Sequence, residues 1–75
     1  MDTQELRDLQ MKVLMANAAL VCKKMKTGAD YDTARDALRI WVARQMGLEV
    51  EKCFVARFDK EQCEKFLRIT EAYTN

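Results

Sequence analysis

The chain of 75 residues has no proline, no histidine and no serine, and its only glycines are Gly28 and Gly47. Each absence excludes something. With no proline and two glycines there is room for few tight turns, so the chain reads as long regular elements with two or three breaks. Without histidine or serine, the Ser-His-Asp and Cys-His arrangements of nucleophilic catalysis cannot be assembled. General acid–base chemistry would then fall to carboxylates held in a pocket. The acidic residues, such as Glu61 and Glu64, are instead interleaved with Lys and Arg. The three cysteines, Cys22, Cys53 and Cys63, stand at irregular spacing with no CxxC. A tetrahedral zinc site within one chain would lack a fourth good ligand. There is no glycine-rich phosphate loop, and no charge-free apolar run of about 18 residues to span a membrane. No enzyme activity, cofactor, metal or membrane span is therefore expected.

Charge is also scarce in net terms. Thirteen Lys and Arg against twelve Asp and Glu leave +1, which supplies no general drive toward nucleic acid or anionic lipid. The polar, acid-bearing start MDTQELRD is unlike an export or transit signal. An odd number of cysteines read as small core hydrophobes suits a reducing compartment. The expected location is the cytoplasm.

What is present is apolar surface. Hydrophobic residues make up 49% of the chain and charged ones 33%, a composition that folds. A single domain of this length, residues 1–75, buries only about 60% of its unfolded surface. Its core is marginal unless a disulfide, a metal or a partner subunit helps. The apolar residues concentrate in residues 6–25, LRDLQMKVLMANAALVCKKM. Leu6, Leu9, Val13, Ala16 and Leu20 follow at steps of three and four, which draws one stripe along a helix. Met11, Leu14, Ala18, Val21 and Met25 draw a second stripe on another side. A helix apolar on most of its circumference must be covered on most of it. The rest of the chain is too small to do that, so the second stripe is expected to meet another copy or a partner.

The remaining signals divide the chain into three helices. Asp2 with Glu5 makes a capping box and Met1 with Leu6 a hydrophobic staple. Asp8 and Lys12 form an i,i+4 pair in the favoured order. Lys23, Lys24 and Lys26 sit where the helix dipole favours cations, and Gly28 ends the element. The first helix is thus expected at about 3–26. In the turn GADYD, Asp30 or Asp32 caps the second helix, about 32–46. Its inward set is Ala34, Ala37, Leu38, Trp41, Val42 and Met46, with Ile40 off that stripe and assigned to an interface. Arg35 and Arg39 repel mildly unless something acidic lies beside them, either the carboxylates Asp30, Asp32 or Asp36 or an outside phosphate. After Gly47, a short helical turn is expected near 49–55. Asp59, with Gln62 in the capping-box position, starts a third helix at about 59–73, with Cys63, Phe66, Leu67, Thr70 and Tyr73 inward. On its wet face Glu61–Lys65 and Glu64–Arg68 are spaced as ion pairs. The fold class is all-α, a small helical bundle completed by oligomerisation.

Two stretches, RDALRIWVARQMGLEV (35–50) and RFDKEQCEKFLRITEAY (57–73), together resemble the small C-terminal helical module of phage antirepressor and prophage regulatory proteins. There a helix ends at a glycine followed by an apolar residue, as at Gly47 and Leu48. A connector then leads to a capped helix with an aromatic near its end, as at Asp59, Phe66 and Tyr73. The resemblance covers residues 33–73, and the DNA-reading part of such proteins has no counterpart in it. It implies a phage or prophage origin and a role in association.

The function expected is a non-enzymatic protein-interaction module, a homodimer or higher homo-oligomer with a regulatory or adaptor role. Its interface would be Met11, Leu14, Ala18, Val21, Met25 and Ile40. The alternative is a small regulator binding DNA or single-stranded nucleic acid. It would use Arg35, Arg39 and Arg44 on the second helix and the cluster Lys23, Lys24 and Lys26.

Overall fold

The computed structural model describes residues 3–74, all-α, with no strand among them. Three helices, α1 (Thr3–Met25), α2 (Tyr31–Met46) and α3 (Lys60–Thr74), carry the architecture. Two single 3-10 turns, Val50–Lys52 and Val55–Arg57, occupy the connection between α2 and α3, where one helical turn was expected. Asp2 and Met1, the proposed cap and staple, lie outside the described residues.

The helix ends follow from local chemistry. Asp30 has extended backbone and its carboxylate accepts from the Thr33 N–H at 2.8 Å, which starts α2. That hydrogen bond, made to the charged form, holds the Asp30 carboxyl below its usual range. At the other end Gly47 turns left-handed, with φ +71°. Its N–H reaches the Arg44 carbonyl, and the Leu48 N–H reaches Ala43 at 2.9 Å. This closure satisfies carbonyls the helix would leave bare, and it needs a residue without a Cβ penalty at that φ. The third helix opens with a reciprocal box. Asp59 accepts from the Gln62 N–H at 2.8 Å, and Gln62 Oε1 accepts from the Asp59 N–H at 3.0 Å.

The core lies between α1 on one side and α2, α3 and the connection on the other. Val13, Leu20 and Val21 of α1 bury against Ala34, Leu38, Val42, Ala43 and Met46 of α2, with Cys53, Phe58, Cys63 and Phe66 completing the cluster. Phe58 and Phe66 meet edge to face with centroids 6.0 Å apart. The third helix runs in the same direction as α1. Glu5 pairs with Lys60 at 3.5 Å near both N-termini, and Lys23 lies over the Tyr73 ring near both C-termini. The Gln10 amide donates to the Phe58 carbonyl at 3.1 Å and ties the connection to α1. The long α1 stretches the molecule to 41 × 22 × 21 Å.

Several side chains differ from expectation. Val21 is buried rather than part of an open seam. Each residue turns about 100° round a helix, so Val21 leaves the line of Leu20 toward the flank of Asn17, which faces α2 across a cleft. Ala37 faces water. Tyr73 is half exposed, its ring tilted against the half-buried Trp41 at 5.0 Å. Asp8 accepts from the Gln4 amide. None of the pairs Asp8–Lys12, Glu61–Lys65 and Glu64–Arg68 appears among the ion pairs of the described residues. All six side chains are exposed, and an ion pair in water is worth too little to fix two long side chains.

Candidate functional site

The core side of α1 carries Leu9, Val13, Ala16 and Leu20, one continuous buried or half-buried line. Directly opposite, the helix presents Met11, Leu14, Met15, Ala18, Cys22 and Met25, all exposed. Met15 is 67% exposed and Met11 58%, while Leu14 and Met25 are 40% exposed. No charged residue interrupts this face between Met11 and Met25, because Lys12 and Lys23 project to one side of it. The uncovered apolar area is on the order of 400–500 Å², about the largest patch that soluble monomers leave open.

Of the second stripe expected from the spacing, Met11, Leu14, Ala18 and Met25 lie on this exposed face, whereas Val21 is buried. That stripe left out Met15 and Cys22, although Met15 stands four residues after Met11 and Cys22 four after Ala18, which is the spacing that puts residues on one face. Ile40 is exposed, but on α2, in a shallow surface hollow with Ala43, Arg44, Leu48 and Val50. It is not on the α1 face.

A second feature is a cleft of about 220 Å³ between α2 and the connection, lined by Asn17, Arg35, Arg39, Val42, Cys53 and Phe54 among others. Arg39 is held there by its Nε, which donates to the Val50 carbonyl at 3.0 Å. The exposed Phe54 ring lies under two guanidinium groups, Arg39 at 5.0 Å and Arg57 at 5.5 Å. Arg57 was not singled out from sequence, because only the 3-10 turns bring it beside Phe54. Cys53 is buried in the wall, and burial pushes its thiol up, with Arg39 opposing the shift. The thiol is therefore poorly placed to act as a thiolate nucleophile.

The residues considered for nucleic acid do not form one surface. Arg35 lies 3.8 Å from Asp32 and 3.7 Å from Asp36, so its charge is answered within the chain. Arg39 is spent on Val50 and Phe54. Arg44 lines the separate hollow near Ile40. On α1, Lys23 lies over Tyr73 and Lys24 is half-buried, while Lys26 is exposed.

The three cysteines are unbridged, Cys22 exposed and Cys53 and Cys63 buried. Among the described residues there is no cluster of metal-ligating side chains, and no helix long and apolar enough to cross a membrane. Comparison with protein-family models, with curated proteins and with solved structures finds no match to this chain.

Proposed function

We propose that this protein is a non-enzymatic helical interaction module that works as a homo-oligomer, most simply a dimer, joined through the outer face of α1. The observation that carries the reading is the open line Met11–Leu14–Met15–Ala18–Cys22–Met25, opposite a helix face already used by the core. Burying it in two copies would remove on the order of 1,000 Å² of surface, near the lower bound for a specific interface. The dimer expected is therefore one of micromolar affinity, and its population depends on concentration. Methionines suit such a seam because their unbranched chains adapt to the opposing surface.

The biological role that fits is regulatory or adaptor-like, and the resemblance of residues 33–73 to prophage regulatory modules points to a phage setting. A reducing, cytoplasmic location agrees with three unbridged cysteines. Direct nucleic-acid binding is the weaker reading, since Arg35 is answered by Asp32 and Asp36 and the other cations are dispersed.

The test is solution mass by sedimentation for the native chain and for the double variant Leu14→Glu, Met15→Glu. Both positions are exposed, so the fold of one subunit should survive and the circular dichroism should stay helical. The native chain is expected to dimerise and the variant to remain monomeric. A dimer that persists in the variant would reject the assigned face.

A further inference from the structure

The cleft between α2 and the connection holds an arginine that the fold positions but does not neutralise. Arg39 is half-buried, its Nε donates to the Val50 carbonyl at 3.0 Å, and its guanidinium lies 5.0 Å from the centre of the Phe54 ring. Those contacts occupy one donor and one face of the group. A guanidinium has five N–H donors, and those on the terminal nitrogens of Arg39 have no hydrogen-bond or ion-pair partner among the described residues. No carboxylate lines the cleft among these residues. Arg35, the other cation at the cleft, is shared with Asp32 at 3.8 Å and Asp36 at 3.7 Å, which leaves Arg39 as the anchor.

Asn17 brings a second polar group, from α1. It is half-buried at the cleft, and its amide forms no hydrogen bond within the described residues. Such an amide has donors and an acceptor that water or a ligand must meet. The rest of the lining is apolar. Val42 and Cys53, both buried, form the floor, and the exposed Phe54 forms a wall.

We infer that this cleft binds a small free carboxylate carried on a flat apolar body, an arylacetate in size. The planar guanidinium fork of Arg39 matches the two oxygens of a carboxylate, and the Asn17 amide supplies a further donor. Because Val50 and Phe54 already hold Arg39 in place, little side-chain freedom is lost on binding. The volume sets the size of the ligand. At about 220 Å³ the cleft exceeds the roughly 150 Å³ of an apolar cavity that takes up benzene and falls short of the roughly 300 Å³ at which drug-sized sites begin. One ring with a short acidic arm fills it, and both the Phe54 ring and the guanidinium plane favour aromatic contact. An inorganic anion would leave the apolar floor uncovered. An uncharged ring would leave Arg39 and Asn17 unanswered.

This site is independent of the pairing proposed above. One chain supplies every lining residue, and none belongs to the outer face of α1. A chain that proves monomeric leaves the cleft intact, and a cleft that binds nothing leaves the dimer standing.

The experiment is titration of the isotope-labelled chain, followed by backbone and side-chain NMR shifts. The probes are phenylacetate, phenylacetamide, acetate, and an acetylated peptide ending in a free phenylalanine. Phenylacetate, with about ten heavy atoms, should bind with a Kd on the order of a millimolar. Its saturable shifts should fall on the Asn17 and Arg39 side chains and on residues 53–56. Phenylacetamide lacks the charge and acetate lacks the ring, and each should bind about tenfold more weakly or worse. Arg39→Gln and Phe54→Ala should each weaken phenylacetate about tenfold, with circular dichroism reporting that the helices persist. Should Arg39→Gln lose its helical spectrum, Phe54→Ala, whose side chain is exposed, and the phenylacetamide comparison decide. Equal binding of acid and amide overturns the inference, as do shifts confined to the outer face of α1 or the absence of saturable shifts up to tens of millimolar. Tighter binding of the peptide overturns the free acid and makes a chain end the occupant.

Discussion

At the scale of single residues, the structure separates side chains that hold the fold from side chains that are held out of it. Phe66 is fully enclosed and touches Phe58. Phe66→Ala should cost about 3–5 kcal/mol, a large part of the roughly 4–11 kcal/mol expected for a chain of this size. Thermal melting should show a sharply lowered melting temperature. Asp30 works in the opposite register, on the surface. Its carboxyl is held low by the Thr33 N–H, so its contribution is present above the carboxylate's unfolded value and is lost as pH falls through the lower, folded value. Asp30→Asn keeps a capping acceptor but removes the charge. The melting temperature of the native chain should therefore fall more steeply in acid than that of the variant. Equal slopes would show that Asp30 is not coupled to folding. The thiols give a third residue-scale test. Burial pushes Cys53 and Cys63 up, with Asp59 and Glu64 adding to the effect at Cys63. Alkylation of the native protein at pH 8 should label Cys22 alone, and dimerisation should slow that labelling as protein concentration rises.

At the scale of elements, α1 is the part most legible in the sequence. Its extent, Thr3–Met25, followed closely from the end signals and its core line from steps of three and four residues, whereas its open line followed only in part, with Val21 wrongly included and Met15 and Cys22 left out. The Asp59–Gln62 box and the Gly47 closure were equally plain, because each is a local pattern whose partners are three or four residues apart. What could not be read was anything set by a neighbour brought from a distance. Val21 lies inward because α2 covers the flank it shares with Asn17, and no spacing within α1 records where α2 will lie. The segment Val50–Arg57 breaks into two 3-10 turns that seat Cys53 and Phe58 in the core while leaving Phe54 outside. The cleft with Arg39 and Arg57 over Phe54 is a product of that path. Neither end of the cleft is close in sequence to the other, so its residues looked unrelated. Arg35 was legible, since Asp32 and Asp36 stand three positions before and one after it.

At the scale of the whole molecule, one long helix has two apolar sides and a chain large enough to cover only one. That imbalance is why association, rather than chemistry, is the function proposed. On that proposal stability depends on concentration, because a ligand that binds only the folded state raises its melting point, and the proposed ligand is another copy. The direct measurement is molar mass across a dilution series from high micromolar to nanomolar, for the native chain and for Leu14→Glu, Met15→Glu. The native mass should fall from twice 8.8 kDa toward 8.8 kDa on dilution, while the variant stays at the lower value with its helical spectrum intact. A native chain of 8.8 kDa at every concentration, stable with the outer face of α1 open to water, would contradict the account.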